Sequence, residues 1–136
     1  MSQPQTRIRG GPTTRHAVLI VDHGSRREEA RHATERLVCR LAERLPEVRV
    51  ALAHLEVAAP GVEEVVRGLY DEGVRDLRVH PFFLARGQHV ERDLPELLER
   101  VAARCPGLRV RISEPLGGHP LLEEIVLERL SEIGEG

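Results

Sequence analysis

The feature that most constrains this chain is a regular exchange of two periodicities. Short runs rich in β-branched and aliphatic residues alternate with longer stretches whose apolar positions recur at helical spacing. The short runs fall at residues 16–21 (HAVLIV), 48–55, 76–83 and 108–112. After the first, Ser25 and Glu28 have the S-x-x-E spacing of a capping box. They predict a helix whose apolar face carries Ala33, Leu37, Leu41 and Leu45. Pro60 suits the first turn of a second helix, with Val62, Val65, Val66 and Leu69 on one face and a stop at Gly73. Asp93 and Glu96 form a second capping box ahead of Leu97, Leu98 and Val101, and Pro106-Gly107 closes that helix. The last helix is expected near Pro120, burying Leu122, Ile125, Val126 and Leu130. Strand and helix thus alternate four times. That order predicts an α/β fold, a four-stranded parallel sheet flanked by helices, with strands buried on both faces.

Length supports one such unit, since 136 residues are too few for two cores. Residues 1–15 mix Gly, Pro, Thr and Arg without periodicity and are expected to form a mobile tail, leaving residues 16–136 as the domain. The formal net charge is −2, which disfavours a nucleic-acid binder. Aromatics are 2%, too few for a base-stacking platform. All 20 basic residues are arginine. Without lysine there is no Walker-A phosphate loop, no Schiff-base lysine and no anchor for pyridoxal phosphate. Cys39 and Cys105 are too few and too far apart for a disulfide framework, so a cytoplasmic, reducing location is expected. The apolar runs are too short to span a membrane.

In an open parallel sheet, ligands bind beyond the carboxyl ends of the strands. The first strand delivers Asp22-His23-Gly24-Ser25 there, the second His54-Leu55-Glu56, the third a loop through Arg86, Gly87 and His89, and the fourth a loop ending in His119. His23, Glu56 and His89 are spaced 33 residues apart, one per strand–helix unit. Two imidazoles and a carboxylate suit a borderline divalent cation such as Fe²⁺, Co²⁺, Ni²⁺ or Zn²⁺. The same groups accept protons near neutral pH. Gly24 and Gly87 would let a bulky ligand approach the backbone. Phosphate binding at helix N-termini is the alternative for the histidines, but no G-x-G-x-x-G run is present for a nucleotide. The other histidines have plainer readings. His32 is solvated on a helix, and His16 and His80 pack in or beside strands. His119 caps a helix, and His54 shares Glu56's face of its strand. Cys39 and Cys105 read as small core residues on helices.

The segments LIVDHGSRREEA, AHLEVAAPGVEE, HPFFLARGQHVERDLPELL and EPLGGHPLLEEIV, in that order, resemble the small single-domain CbiX/SirB-type chelatases. HGSR followed by FFL-x-x-G-x-H-V-x-x-D-x-P is a specific pair, and PLGGH is similar to the sirohydrochlorin ferrochelatase branch. The resemblance implies a chelatase-like fold with flavodoxin-like winding. It also implies ATP-independent insertion of Fe²⁺ or Co²⁺ into sirohydrochlorin, in siroheme or cobalamin biosynthesis. His23, Glu56 and His89 match the family's metal-binding and catalytic positions. The metal enters as substrate, and no permanently bound cofactor is expected. Arg26, Arg27, Arg86 and Arg92 flank the histidine motifs and are candidates to bind the substrate's carboxylates, which arginine grips by charge-assisted bidentate bonds. Phe82 and Phe83 point in opposite directions, so one at most should face the tetrapyrrole.

Three departures stand out. The second motif reads EVAAP rather than ELAEP, leaving Ala59 where a second carboxylate is common. His80 replaces a small or apolar residue. No C-terminal cysteine cluster is present for an iron–sulfur site. Two-domain chelatases are twice this length, so a homodimer is expected to enclose the substrate. A non-catalytic metal or tetrapyrrole carrier on the same fold is the competing reading.

Overall fold

In a computed structural model, residues 15–56, 59–84 and 88–134 are described, with the side chains of residues 88–92 left aside. The expected tail up to residue 14, Arg86 and Gly87, and the side chains of His89 and Arg92 lie outside the described residues. The order is β1 (His16–Asp22), α1 (Glu28–Arg44), β2 (Arg49–His54), α2 (Val62–Asp71), β3 (Asp76–Pro81), α3 (Gln88–Ala103), β4 (Arg109–Ile112) and α4 (Leu121–Ile133). The strands form one parallel sheet in the order β2-β1-β3-β4. That is the expected flavodoxin-like winding. No described helix is long and apolar enough to cross a membrane.

Strand alternation sorts the core into two layers. Leu19, Val21, Ala51, Ala53, Leu77 and Val79 face α2 and α3, where Val66, Leu69, Leu94, Leu98 and Val101 close over them. Ile20, Val50 and Leu52 face the other way and pack on Val38 and Ala42 of α1. The buried line of α1 is Thr34, Val38 and Ala42, with Leu41 and Leu45 partly covered. The expected stripe through Ala33 and Leu37 is therefore rotated by about one residue.

Several expected boundaries move. α1 starts at Glu28 with Arg27 at its N-cap and no side-chain cap. Ser25 instead turns on itself, its Oγ accepting the Arg27 N–H at 3.0 Å. Pro60 lies before α2, whose N-cap is Gly61, and the Ala59–Pro60 bond is cis. α3 begins at Gln88, so Asp93 and Glu96 are interior helical residues rather than a capping box, and Pro95 sits within the helix. Burial of Leu94, Leu98, Val101 and Cys105 at helical spacing outweighs the one hydrogen bond the proline removes. Cys105 is buried as expected but lies in the turn after α3, while Cys39 is only half-buried.

The largest correction concerns α4. It buries none of its residues, and Ile125, Val126, Leu127 and Leu130 are each more than half exposed. It contributes to neither core layer and packs substantially on no other element. With α4 held away, β4 is largely exposed, and the α1-side face of β3 and β4 has no helix over it. The expectation of strands buried on both faces holds for β2 and fails at this edge.

A polar corner ties the amino ends of the strands. The Tyr70 hydroxyl donates to the Pro106 carbonyl at 2.6 Å. The Arg75 guanidinium lies 3.7 Å from the centre of the Tyr70 ring, and its Nη1 donates to the Tyr70 carbonyl at 2.9 Å.

Candidate metal-binding cleft

The β1–β2 ladder does not stop where the strands end. Its last register pair is Asp22 with His54. Beyond it, the Leu55 N–H donates to the Asp22 carbonyl and the Glu56 N–H to the His23 carbonyl, each at 2.9 Å. The two segments bearing His23 and Glu56 are thus held side by side. Gly24 follows His23 with φ of +90°, and a Cβ there would lie 1.8 Å from the Glu56 carbonyl oxygen. Glycine is required on both counts. The Gly24 N–H donates to Asp22 Oδ1 at 3.0 Å, closing the turn.

Held this way, the exposed His23 and Glu56 side chains line a common cleft of about 330 Å³. Its far wall is α3, through Asp93, Glu96, Leu97 and Arg100. The His23 ring stacks obliquely on Phe83, with centroids 4.1 Å apart. Phe83 is buried in the α2–α3 layer, whereas Phe82 packs beside the α1 layer. The two rings therefore diverge as expected. His89 lies in the first turn of α3. Among the described residues no three His, Cys, Asp or Glu side chains cluster closely enough to hold a metal ion. Arg26 and Arg27 are exposed between β1 and α1 and do not line the cleft.

The sequence reading takes Asp93 and Glu96 only as a capping box and does not name Arg100. Their signal was spacing: at i, i+3 and i+7 they share a face of a helix. Reading Asp93 as a helix start hid that face. His54 is almost fully buried, and its Nδ1 lies 2.6 Å from Asp22 Oδ1. That burial sets His54 apart from Glu56, which lines the cleft, so the two do not share a face as expected. His16 is exposed rather than packed, its Nδ1 3.8 Å from Asp76 Oδ2, while the readings of His32, His119 and His80 fit. His32 is exposed. His119 Nδ1 accepts the Leu121 N–H at 3.1 Å at the start of α4. His80 Nδ1 lies 2.7 Å from Ser113 Oγ. Two shifted groups sit away from the cleft. Burial pushes the His80 imidazole below its ordinary value. The hydrogen bond from Arg111 holds Asp76 below the usual carboxylate value, against some desolvation, with the charges of Arg111, His16 and Arg109 adding to it.

A parallel α/β sheet that brings a histidine and a carboxylate to one cleft at its carboxyl edge belongs to the class of open-sheet proteins that bind ligands beyond their strand ends. The CbiX family model matches residues 17–133, and the chain belongs to that family. It is 33% identical over 123 residues to the chloroplastic sirohydrochlorin ferrochelatase of Arabidopsis thaliana, covering 90% of this chain and 55% of the relative. It is 29% identical to the sirohydrochlorin cobaltochelatase of Methanopyrus kandleri, covering 88% of this chain and 98% of the relative. The solved structure of SirB from Bacillus subtilis with Fe³⁺ superposes with a TM-score of 0.79 at 27% identity, over 90% of this chain and 48% of that one. The chain spans about half the length of the ferrochelatases it matches.

Proposed function

We propose that this chain is a sirohydrochlorin chelatase that inserts Fe²⁺ or Co²⁺ without ATP. The observation that carries the reading is the pairing of His23 and Glu56 on one cleft by backbone bonds that continue the sheet. Insertion of a divalent ion displaces two pyrrole protons, so the site needs donors for the metal and bases for the protons. Neutral imidazoles of His23 and His89 would capture the metal, and Glu56 would complete the coordination and help pass the two displaced protons to solvent. The carboxylates of Asp93 and Glu96 on the opposite wall make the entry attractive to a cation. Arg26, Arg27, Arg86 and Arg92 bind the carboxylates on the tetrapyrrole rim. The reaction takes place in the cytoplasm.

The working unit in this reading is a homodimer. One sheet offers a single wall to a flat macrocycle, and a second copy supplies the other. The exposed apolar residues of α4 and the open groove on β3 and β4 are surfaces suited to that pairing. The groove, of about 310 Å³, carries the cations Arg78 and Arg111, while α4 carries Glu123, Glu124, Glu128 and Glu132 against the single cation Arg129. Their charges are complementary.

The test is spectral conversion of sirohydrochlorin by purified protein with Co²⁺ or Fe²⁺ and no ATP. Conversion faster than the uncatalysed reaction is expected, with an apparent substrate constant that rises in Arg26→Ala and Arg86→Ala. Equal rates with and without protein would leave a non-catalytic carrier.

A further inference from the structure

We infer that the Asp22–His54 pair, His54 buried and Asp22 half-buried, is a positioning device for His23 and Glu56. His54 lies two residues before Glu56 and Asp22 immediately before His23. Their side chains meet on the α1 side of the sheet, at the last register pair of the β1–β2 ladder. Asp22 Oδ1 receives the His54 Nδ1–H at 2.6 Å and the Gly24 N–H at 3.0 Å. One carboxylate oxygen therefore grips the chain on the far side of His23, while Asp22's own backbone holds the near side. His54 is anchored in turn, its N–H donating to the Pro60 carbonyl at 2.9 Å. The turn cannot drift across the sheet, because Gly24 is seated against the Glu56 carbonyl and the His54 Cβ.

Packing alone does not call for this pair. Apolar residues of similar volume commonly do as well in a core as a buried polar pair, whose gain is offset by desolvation. A polar pair does something apolar packing cannot: it selects one backbone path for the turn. Groups that orient metal-binding side chains in this way typically change metal affinity or activity by about 10–100-fold when removed.

The kinetic part of this inference rests on the chelatase reading; the structural part does not. His54→Leu removes the donor, His54→Asn keeps an N–H near the position of Nδ1, and Asp22→Ser removes the acceptor. Amide hydrogen exchange is read by NMR at Gly24 and Glu56 and compared with Leu19 and Ile20 in β1. Exchange at Gly24 and Glu56 should accelerate by about 10-fold or more in His54→Leu and Asp22→Ser, stay slow in β1, and return towards the native rate in His54→Asn. Unchanged exchange, or uniform acceleration throughout β1, would overturn the inference.

If the chain turns over sirohydrochlorin, kcat should fall by about 10–100-fold in His54→Leu with the sirohydrochlorin KM unchanged, and His54→Asn should recover most of it. The double variant His54→Leu/Asp22→Ser should be no worse than Asp22→Ser alone, because Asp22→Ser already removes the bond that His54→Leu cuts, together with the Gly24 bond. Additive losses, or no recovery in His54→Asn, would count against it. Should His54→Leu fail to fold, Asp22→Ser carries the same comparisons. Absence of turnover in the native chain would remove the chelatase reading and leave the exchange result to decide this one.

Discussion

Gly24 carries two demands at one position, a left-handed backbone and a near-contact with the Glu56 carbonyl. Gly24→Ala should therefore cost about 3 kcal/mol or more in denaturant unfolding, strain and clash acting together. A loss under about 0.5 kcal/mol would mean the turn can open without penalty. The neighbouring His23 and Glu56 behave differently because they are exposed. His23→Ala and Glu56→Ala should leave stability within about 0.5 kcal/mol while lowering sirohydrochlorin turnover by about 100-fold or more. His89→Ala should lower turnover similarly, and His32→Ala should leave it unchanged. Steady-state rates beside melting curves separate these outcomes. His80 has a pH signature of its own. Its folded value lies below the ordinary imidazole value because burial disfavours the charged form. The stability it contributes as a neutral group is present above about pH 6.5 and is lost as pH falls through the lowered value. His80→Gln should therefore lose less stability than the native chain between pH 7.5 and pH 5. Parallel urea curves at the two pH values would show no such contribution.

Among the elements, α2 and α3 are built into the core and α4 is not. Leu98→Ala, beneath α3, should cost about 2–5 kcal/mol. Ile125→Ala on α4 should cost less than about 0.5 kcal/mol when measured at a dilution where the chain is monomeric. A large loss at α4 under those conditions would mean that it packs on its own sheet. The contrast also marks where sequence reading works. Periodicity revealed all eight elements and the edge at which His23 and Glu56 meet, because each depends on local pattern and strand order. It placed α4 in the core, because Leu122, Ile125, Val126 and Leu130 make an apolar stripe wherever that stripe is finally covered. It misplaced the start of α3, because the Asp93–Glu96 spacing is a local start signal that tertiary burial overrides. The Asp22–His54 contact was beyond its reach, since it depends on the register between two strands rather than on either alone.

For the whole molecule, the uncovered groove and the apolar α4 belong to a chain that needs a partner in the proposed reading. Light scattering at micromolar concentration should give about twice the chain mass of 15.2 kDa. The melting temperature should rise with protein concentration, since association stabilises by mass action. Ile125→Glu with Leu130→Glu should abolish both effects and leave a folded monomer. A native chain that stays monomeric and fully active on dilution would require a one-sided site.

The corner at the amino ends of the strands has an optical consequence. Tyr70 is the sole tyrosine, and tryptophan is absent. Nearly all of the chain's ultraviolet fluorescence therefore comes from one ring, fastened to the Pro106 carbonyl and lying under Arg75. Its emission reports whether α2 and the approach to β4 remain joined. Because the ring sits at the opposite end of the strands from His23 and Glu56, a cation arriving at the cleft should leave that light almost unchanged. Loading of the cleft is better followed through the colour of the metal.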